Sequence, residues 1–162
     1  MSTHLCDFTT LNESQKEMIL TWRNHENVKT FMYNAQIISQ EEHLRFIESL
    51  KTSHDKRYFL VYHEEEAIGV IDFTHITPQR ATIGLYANPT LSRKGLGKEL
   101  MCAIISYGFE TLHVKKLRAE LFAFNTKAKA LYEAFGFYET IRKTLNKHEI
   151  ICMELAYENR PL

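Results

Sequence analysis

The chain has 162 residues, 44% of them apolar, which is enough for one sizeable core and too few for two ordinary domains. One continuous domain spanning residues 1–162 is expected. Its 20 basic residues balance 20 acidic ones and the pI is near 7.1, so no overall positive field exists to draw it to nucleic acid or an anionic membrane. Cys6, Cys102 and Cys152 are odd in number, lack metal-ligand spacing and sit beside apolar residues, which reads as buried free thiols in a reducing cytoplasm. The amino terminus lacks a charged start followed by an apolar run, and no stretch approaches about twenty apolar residues, so secretion and membrane spanning are not expected.

The elements follow in chain order. A short apolar segment covers Leu5 to Leu11, and helical patterns follow over Ser14 to Asn24 and Asn27 to Tyr33. Ser39 and Glu42 are spaced as a capping box, with Phe46, Ile47 and Leu50 on one face of the helix they open. Two β-like runs, Arg57 to Tyr62 and Ala67 to Thr74, flank acidic Glu64-Glu65-Glu66, which suits a hairpin loop. Pro78 marks the turn before a strand at Ala81 to Ala87. Leu96, Leu100, Ala103, Ile104 and Tyr107 then recur at helical spacing, and this amphipathic helix is expected to reach Thr111. A strand at Leu117 to Phe122, a short helix at Thr126 to Phe135 and strands at Tyr138 to Thr144 and Glu149 to Tyr157 complete the chain. An antiparallel meander followed by a strand-helix-strand crossover predicts an α/β fold with a mixed sheet of about seven strands and helices on both faces.

The chemistry begins where the strand ending at Ala87 yields to Ser92-Arg93-Lys94-Gly95-Leu96-Gly97-Lys98. Gly95 and Gly97 lack a Cβ, so backbone amides can approach phosphate oxygens, and the helix start adds unpaired N–H groups and a positive dipole end. Arg93 and Lys94 are placed to balance further phosphate charge. A dinucleotide fold wants a third glycine where Leu100 stands, and a Walker loop wants Ser or Thr where Glu99 follows Lys98. Neither a His-Glu-x-x-His helix nor a Gly-x-Ser-x-Gly elbow occurs, and no metal is expected.

With Ile68-Gly69-Val70-Ile71, Ile83-Gly84-Leu85-Tyr86 before Pro89, the Gly95-x-Gly97 loop, and the set Asn125, Ala128, Leu131-Tyr132-Glu133, Gly136-Phe137 in this order, the chain resembles the Gcn5-related N-acetyltransferases. The resemblance covers Arg57 to Phe137. Ser92 departs from it, because the family usually has Gln or Arg there. The resemblance implies acetyl-coenzyme A as cofactor and direct attack by an amine on its thioester. It further implies a strand at Ile83 to Ala87 that splays from its neighbour at a bulge, with Leu85, Tyr86 and Ala87 offering backbone amides to the pantetheine arm. Asn125 would bond the pantetheine region, Lys129 would lie beside it, and Tyr132 would protonate the departing thiolate. Read from its helical face alone, Tyr132 is a core tyrosine with a bonded hydroxyl, and the resemblance reverses that reading.

Removal of the amine proton has several candidates. His43 shares a helix face with Phe46 and Ile47, so it is either an inward base or a satisfied core histidine. Asp72 and Glu120 lie in apolar strands, where burial could raise a carboxylate towards neutral pKa, or where each could be a paired structural acid. His25 follows Trp22-Arg23-Asn24, and a turn histidine is its alternative reading.

Trp22-Arg23-Asn24-His25 with Phe31-Met32 is similar to the subgroup that holds ribosomal-protein N-terminal acetyltransferases. The whole chain more closely resembles the acetyltransferases of bacterial pseudaminic acid synthesis, which serve flagellin glycosylation. That resemblance rests on Glu42-His43-Leu44-Arg45-Phe46-Ile47 and Val70-Ile71-Asp72-Phe73. It implies a small-molecule acceptor, a UDP-linked 4-amino-4,6-dideoxy-sugar (UDP-4-amino-4,6-dideoxy-N-acetyl-β-L-altrosamine). Arg23, Lys29, Arg45 or Arg80 would meet its diphosphate, Phe31 or Tyr33 its uracil, and His25, Met32 and Asp72 would complete the acceptor site. A peptide N-terminal acetyltransferase and a non-catalytic acyl-coenzyme A sensor are the alternatives. The oligomeric state, monomer or homodimer, is open.

Overall fold

A computed structural model describes residues 3–161. The strands are β1 (Thr3–Asp7), β2 (Arg57–His63), β3 (Glu66–Thr74), β4 (Arg80–Ala87), β5 (Lys116–Phe122), β6 (Tyr138–Leu145) and β7 (His148–Ala156). The helices are α1 (Glu13–Asn24), α2 (Glu26–Lys29), α3 (Gln40–Ser49), α4 (Leu96–Ser106) and α5 (Thr126–Ala134). One seven-stranded sheet runs β1-β2-β3-β4-β5-β7-β6. β4 and β5 pair parallel because α4 carries the chain back between them, while the other neighbours pair antiparallel.

The sheet has two apolar faces. Leu100, Met101, Ile104 and Ile105 of α4 pack with Ile71, Phe73, Ile83 and Leu117 on one face. Ile19 and Trp22 of α1 and Ile47 of α3 pack with Leu60 and Val70 on the other. Alternation along each strand produces this division. The Ser39–Glu42 capping box forms as its spacing predicts, and Asn12 with Gln15 forms another at the start of α1.

Three expectations are corrected. The helix expected over Asn27 to Tyr33 ends at Lys29. Val28 is its buried residue, and the next aromatics are drawn outward, Phe31 against Phe124 and Tyr33 edge-on to Phe122. The helix expected to reach Thr111 passes after Ser106 into a π turn, Tyr107–Thr111. Of the three thiols, all free, Cys152 is buried, Cys6 is half-buried and Cys102 lies exposed on α4, opposite the stripe that packs on the sheet.

The feature that creates the site is a fork between β4 and β5. They pair only from Arg80↔Lys116 to Ile83↔Ala119. Beyond that point β4 stays paired with β3 as far as Ala87, and β5 stays paired with β7 as far as Phe122. The expected splay is present, and the β3–β4 register shows no shift, so it opens without a bulge in β4.

Asn88 follows β4 and is buried at 7% exposure. Its Nδ2 donates to Ala67 O at 2.9 Å, and its Oδ1 accepts from Thr90 N and Oγ1 at 2.9 and 2.7 Å. This polar knot ties the sheet to the glycine loop. Asn88→Ala removes these three hydrogen bonds from partly exposed partners, and a loss of about 1 kcal/mol in urea unfolding is expected.

Candidate active site

Loop 92–98 is built as a cradle of amides. Gly95 caps α4 at φ +90°, a conformation that suits glycine, and a Cβ there would meet nothing within 4 Å. The first bond across the helix start runs from Glu99 N to Gly95 O, so the amides of Leu96, Gly97 and Lys98 face outward without an acceptor among the described residues. Gly97 matters for packing: a Cβ would lie 3.2 Å from Leu131 Cδ2, so its absence lets α5 close onto the start of α4. Ser92, Lys94 and Lys98 are exposed beside the loop. Arg93 is held elsewhere, its Nε 3.2 Å from Glu66 and its Nη1 2.8 Å from Glu99. Its charge is therefore already met by two carboxylates, contrary to the role expected for it.

The fork supplies the next contacts. Asn88 N donates to Ile68 O, and the two-residue alternation of an antiparallel ladder then turns the Tyr86 backbone towards Val70. Leu85 and Ala87 consequently direct their backbone groups into the fork. Tyr86 does not; its side chain lines the cavity on the α1/α3 face instead. Asn125 caps α5 through Oδ1, accepting from Ala128 N at 3.2 Å, which leaves its Nδ2 for a ligand. Lys129 is occupied on α5 by Glu133 at 2.9 Å.

Tyr132 lies on α5 at 6% exposure, packed against Phe137 at 5.4 Å. Its hydroxyl has no hydrogen-bond partner among the described residues, which removes the bonded core tyrosine as an account of it. Burial, then the nearby Asp72 charge, holds the phenol above its ordinary pKa, so it stays protonated at neutral pH.

On the opposite face a cavity of about 1260 Å³ opens towards the fork. Arg23, Phe31, Met32, Tyr33 and Asp72 all line it, as do His43 and Glu120. His25 does not, and its Nδ1 instead accepts from Asn27 N and caps α2. Lys29 and Arg45 also stay outside, paired with Glu26 and Glu41, while Arg80 lines the cavity. Arg23 donates from Nη2 to Asn34 O at 2.8 Å, but its Nη1 is buried without a partner, and burial lowers its pKa. It is a cation with no acid opposite it.

The two strand carboxylates diverge. Glu120 accepts from Tyr33 Oη at 2.6 Å and Lys143 Nζ at 3.0 Å. Burial pushes its pKa up, but those bonds and the charges of Lys143 and Arg118 outweigh burial and the net shift is downward, opposite to the upward shift expected. Asp72 follows that expectation, with burial lifting it to about 7. His43 is buried, with Nε2 2.9 Å from Lys16 O, and burial lowers its pKa despite that bond. Tyr58 and the side chain of Tyr86, which line the cavity, and Gly84, which pairs with Asp72, were not expected as parts of the acceptor site; only the placement of Gly84 opposite Asp72 in paired strands could have pointed there. No group of three His, Cys, Asp or Glu able to hold a metal occurs among the described residues.

A cradle of outward amides, an opened pair of strands and an unbonded tyrosine between them fit a long phosphorylated thioester. The model of the acetyltransferase (GNAT) domain matches residues 8–138. The chain belongs to the GNAT acetyltransferase family. This GNAT protein is 46% identical over 153 residues to acetyltransferase PseH of Campylobacter jejuni, covering 94% of each chain. A PseH from another strain of that species is 47% identical over 133 residues, covering 82% of this chain and 83% of that one. The crystal structure of Campylobacter jejuni N-acetyltransferase PseH in complex with acetyl coenzyme A superposes with a TM-score of 0.80 and 37% identity, covering 96% of this chain and 99% of the other. Vibrio cholerae spermidine N-acetyltransferase, 20% identical with a TM-score of 0.86 over 97% of this chain and 96% of that one, shares the fold. The protein is an acetyl-coenzyme A-dependent N-acetyltransferase. No helix among the described residues is long and apolar enough to cross a membrane.

Gly95→Ala forces a left-handed backbone on a residue with a Cβ, at a cost of about 1–2 kcal/mol. Coenzyme A affinity measured by calorimetry is expected to fall roughly tenfold with the fold intact.

Proposed function

We propose that the acceptor is a nucleotide-linked amino sugar, the UDP-4-amino-4,6-dideoxy-sugar of pseudaminic acid synthesis. The observation that carries this reading is Arg23, a partly buried guanidinium with one unpaired nitrogen in a cavity it shares with Arg80, Arg118 and Lys143. Arg118 and Lys143 lie within salt-bridge distance of Glu120, so Arg23 is the partly buried cation left for an acceptor phosphate, and a guanidinium of that kind suits a diphosphate better than a polyamine. The volume of about 1260 Å³ exceeds the roughly 300–1,000 Å³ usual for small-ligand sites, which accommodates a nucleotide together with its sugar. Phe31, 43% exposed, and Phe124, 48% exposed, meet at 6.0 Å and offer an open aromatic surface for a base. The 46% identity to PseH supports the same acceptor class.

Acetyl-coenzyme A supplies an acetyl group activated as a thioester. The amides of loop 92–98 bind its phosphates, and Leu85, Ala87 and Asn125 orient the pantetheine arm within the fork. Arg23 anchors the acceptor within the cavity. Tyr132 gives its proton to the leaving sulfur from the α5 side. Amine and leaving group thus approach the fork from opposite faces of the sheet, and no acyl-enzyme is needed.

Thiol release from acetyl-coenzyme A with the UDP-amino sugar, a ribosomal-protein amino-terminal peptide, or neither tests the reading. Turnover with the sugar alone is expected. Arg23→Ala should raise KM for the sugar more than tenfold with kcat nearly unchanged, because a charged hydrogen bond contributes about 1.5–3 kcal/mol. Tyr132→Phe should instead lower kcat by roughly 10²–10⁴ with coenzyme A affinity retained. Turnover with the peptide and none with the sugar would overturn the acceptor assignment.

A further inference from the structure

We infer that Asp72 receives the proton of the acceptor amine, and that Gly84 is glycine because its missing side chain makes room for that carboxylate. The inference rests on the N-acetyltransferase reading and assigns the proton transfer it leaves open. Besides Asp72, the cavity is lined by Glu42, His43, His54, Asp55, His75 and Glu120. Glu42 caps α3 by accepting from Ser39 N, Asp55 accepts from the Ser53 hydroxyl, and His54 and His75 are exposed in the segments before β2 and after β3. Glu120 spends its oxygens on Tyr33 and Lys143. His43 spends Nε2 on the Lys16 carbonyl. The Asp72 carboxylate has no hydrogen bond or ion pair among the described residues, and burial alone accounts for its raised pKa.

Its position is set by strand register. Asp72 pairs with Gly84, the first residue of β4 beyond the last β4–β5 pair, Ile83↔Ala119. A Cβ on Gly84 would lie 2.5 Å from Asp72 Oδ2 and 3.0 Å from Oδ1, so the carboxylate lies across the space a side chain would fill. It therefore stands over the crotch of the fork on the cavity side. The groups around it are Tyr58 of β2, Tyr86 of β4 and Tyr132 of α5, each of whose phenols feels the Asp72 charge. Arg23 of α1 acts on Tyr58 and Tyr86. Three neutral phenols leave a carboxylate that an arriving ammonium can pair with, while Arg23 stands ready for an anion elsewhere on the same molecule.

The protons balance as follows. Asp72 takes one proton from the ammonium, freeing the lone pair that forms the C–N bond. The C–S bond breaks, Tyr132 protonates the sulfur, and the second nitrogen proton returns to the Tyr132 phenolate. Asp72 then releases its proton to solvent, so each turnover yields the amide, the free thiol and one proton.

The test combines two measurements. Carbon-13 NMR of aspartate carboxyls should show the Asp72 signal titrating near its raised value of about 7, and moving to lower pH when the amine acceptor binds. The kcat/KM for acetyl transfer should rise with pH through the same region in wild type. Asp72→Asn should lower kcat by about 10²–10⁴ and flatten that limb, with acetyl-coenzyme A affinity unchanged. Gly84→Ala should displace the carboxylate, with the same split between kcat and affinity. Because the folded pKa exceeds the ordinary 3.8, ionising Asp72 opposes folding, and the Tm of Asp72→Asn should gain on wild type as pH rises from about 4 to about 7. An acid limb that survives Asp72→Asn and disappears in His43→Gln, or an Asp72 carboxyl that titrates in the ordinary range, would overturn the inference. Silence of wild type towards the nucleotide sugar would sink the acceptor reading alone, and the carboxyl titration would still decide Asp72.

Discussion

Everything at this site depends on β4 and β5 parting company after Ile83 and Ala119. Two strands inside a sheet separate at a cost, because each abandoned backbone group must find another partner. Here the cost is confined to one edge of each strand. β4 remains hydrogen-bonded to β3 along its length and β5 to β7, so each arm is held rigidly on its outer side. The inner edges of Leu85 and Ala87 then present donors and acceptors held in place along the open fork.

The fork also joins the two faces of the sheet. A continuous ladder would separate the α4/α5 face from the α1/α3 face. Opening it brings Tyr132 from the first close enough to feel Asp72 on the second. The glycine loop closes one end of the gap, with Asn88 pinning the turn that leads into it. At the other end the segment after α2 is fastened to β5 by Tyr33 and Glu120, and to α1 by Arg23 and Asn24.

Burial does not act on these acids alone. Asp72 and Glu120 are both strand carboxylates beside the same cavity, yet their pKa values move in opposite directions. Glu120 has Lys143 and Arg118 within salt-bridge distance and a phenol donating to it, which stabilises the charged form beyond the cost of desolvation. Asp72 faces only phenols that give it no hydrogen bond. The partners, set by which strands and loops converge, decide the sign.

Much of this was legible in the sequence. The alternation of residues 57–74, the helical stripe from Leu96, the Ser39–Glu42 box and the Gly95-x-Gly97 loop are local patterns, and local patterns report local structure. The resemblance carried by Gly95, Asn125, Tyr132 and Gly136 pointed to the cofactor before any coordinates did. Pairings between distant segments were not legible. Nothing near Arg93 announces that Glu66, on a hairpin 27 residues earlier, will take its charge. Nothing near Phe31 shows that the helix will stop so that aromatics can reach Phe122 and Phe124. The sequence by itself determined most of the elements and the glycine loop that opens α4, because each follows from periodicity and backbone chemistry within a few residues. Only the tertiary structure decided which carboxylate is paired and which is free, because that depends on register between strands and on which charges the fold brings within a few ångströms.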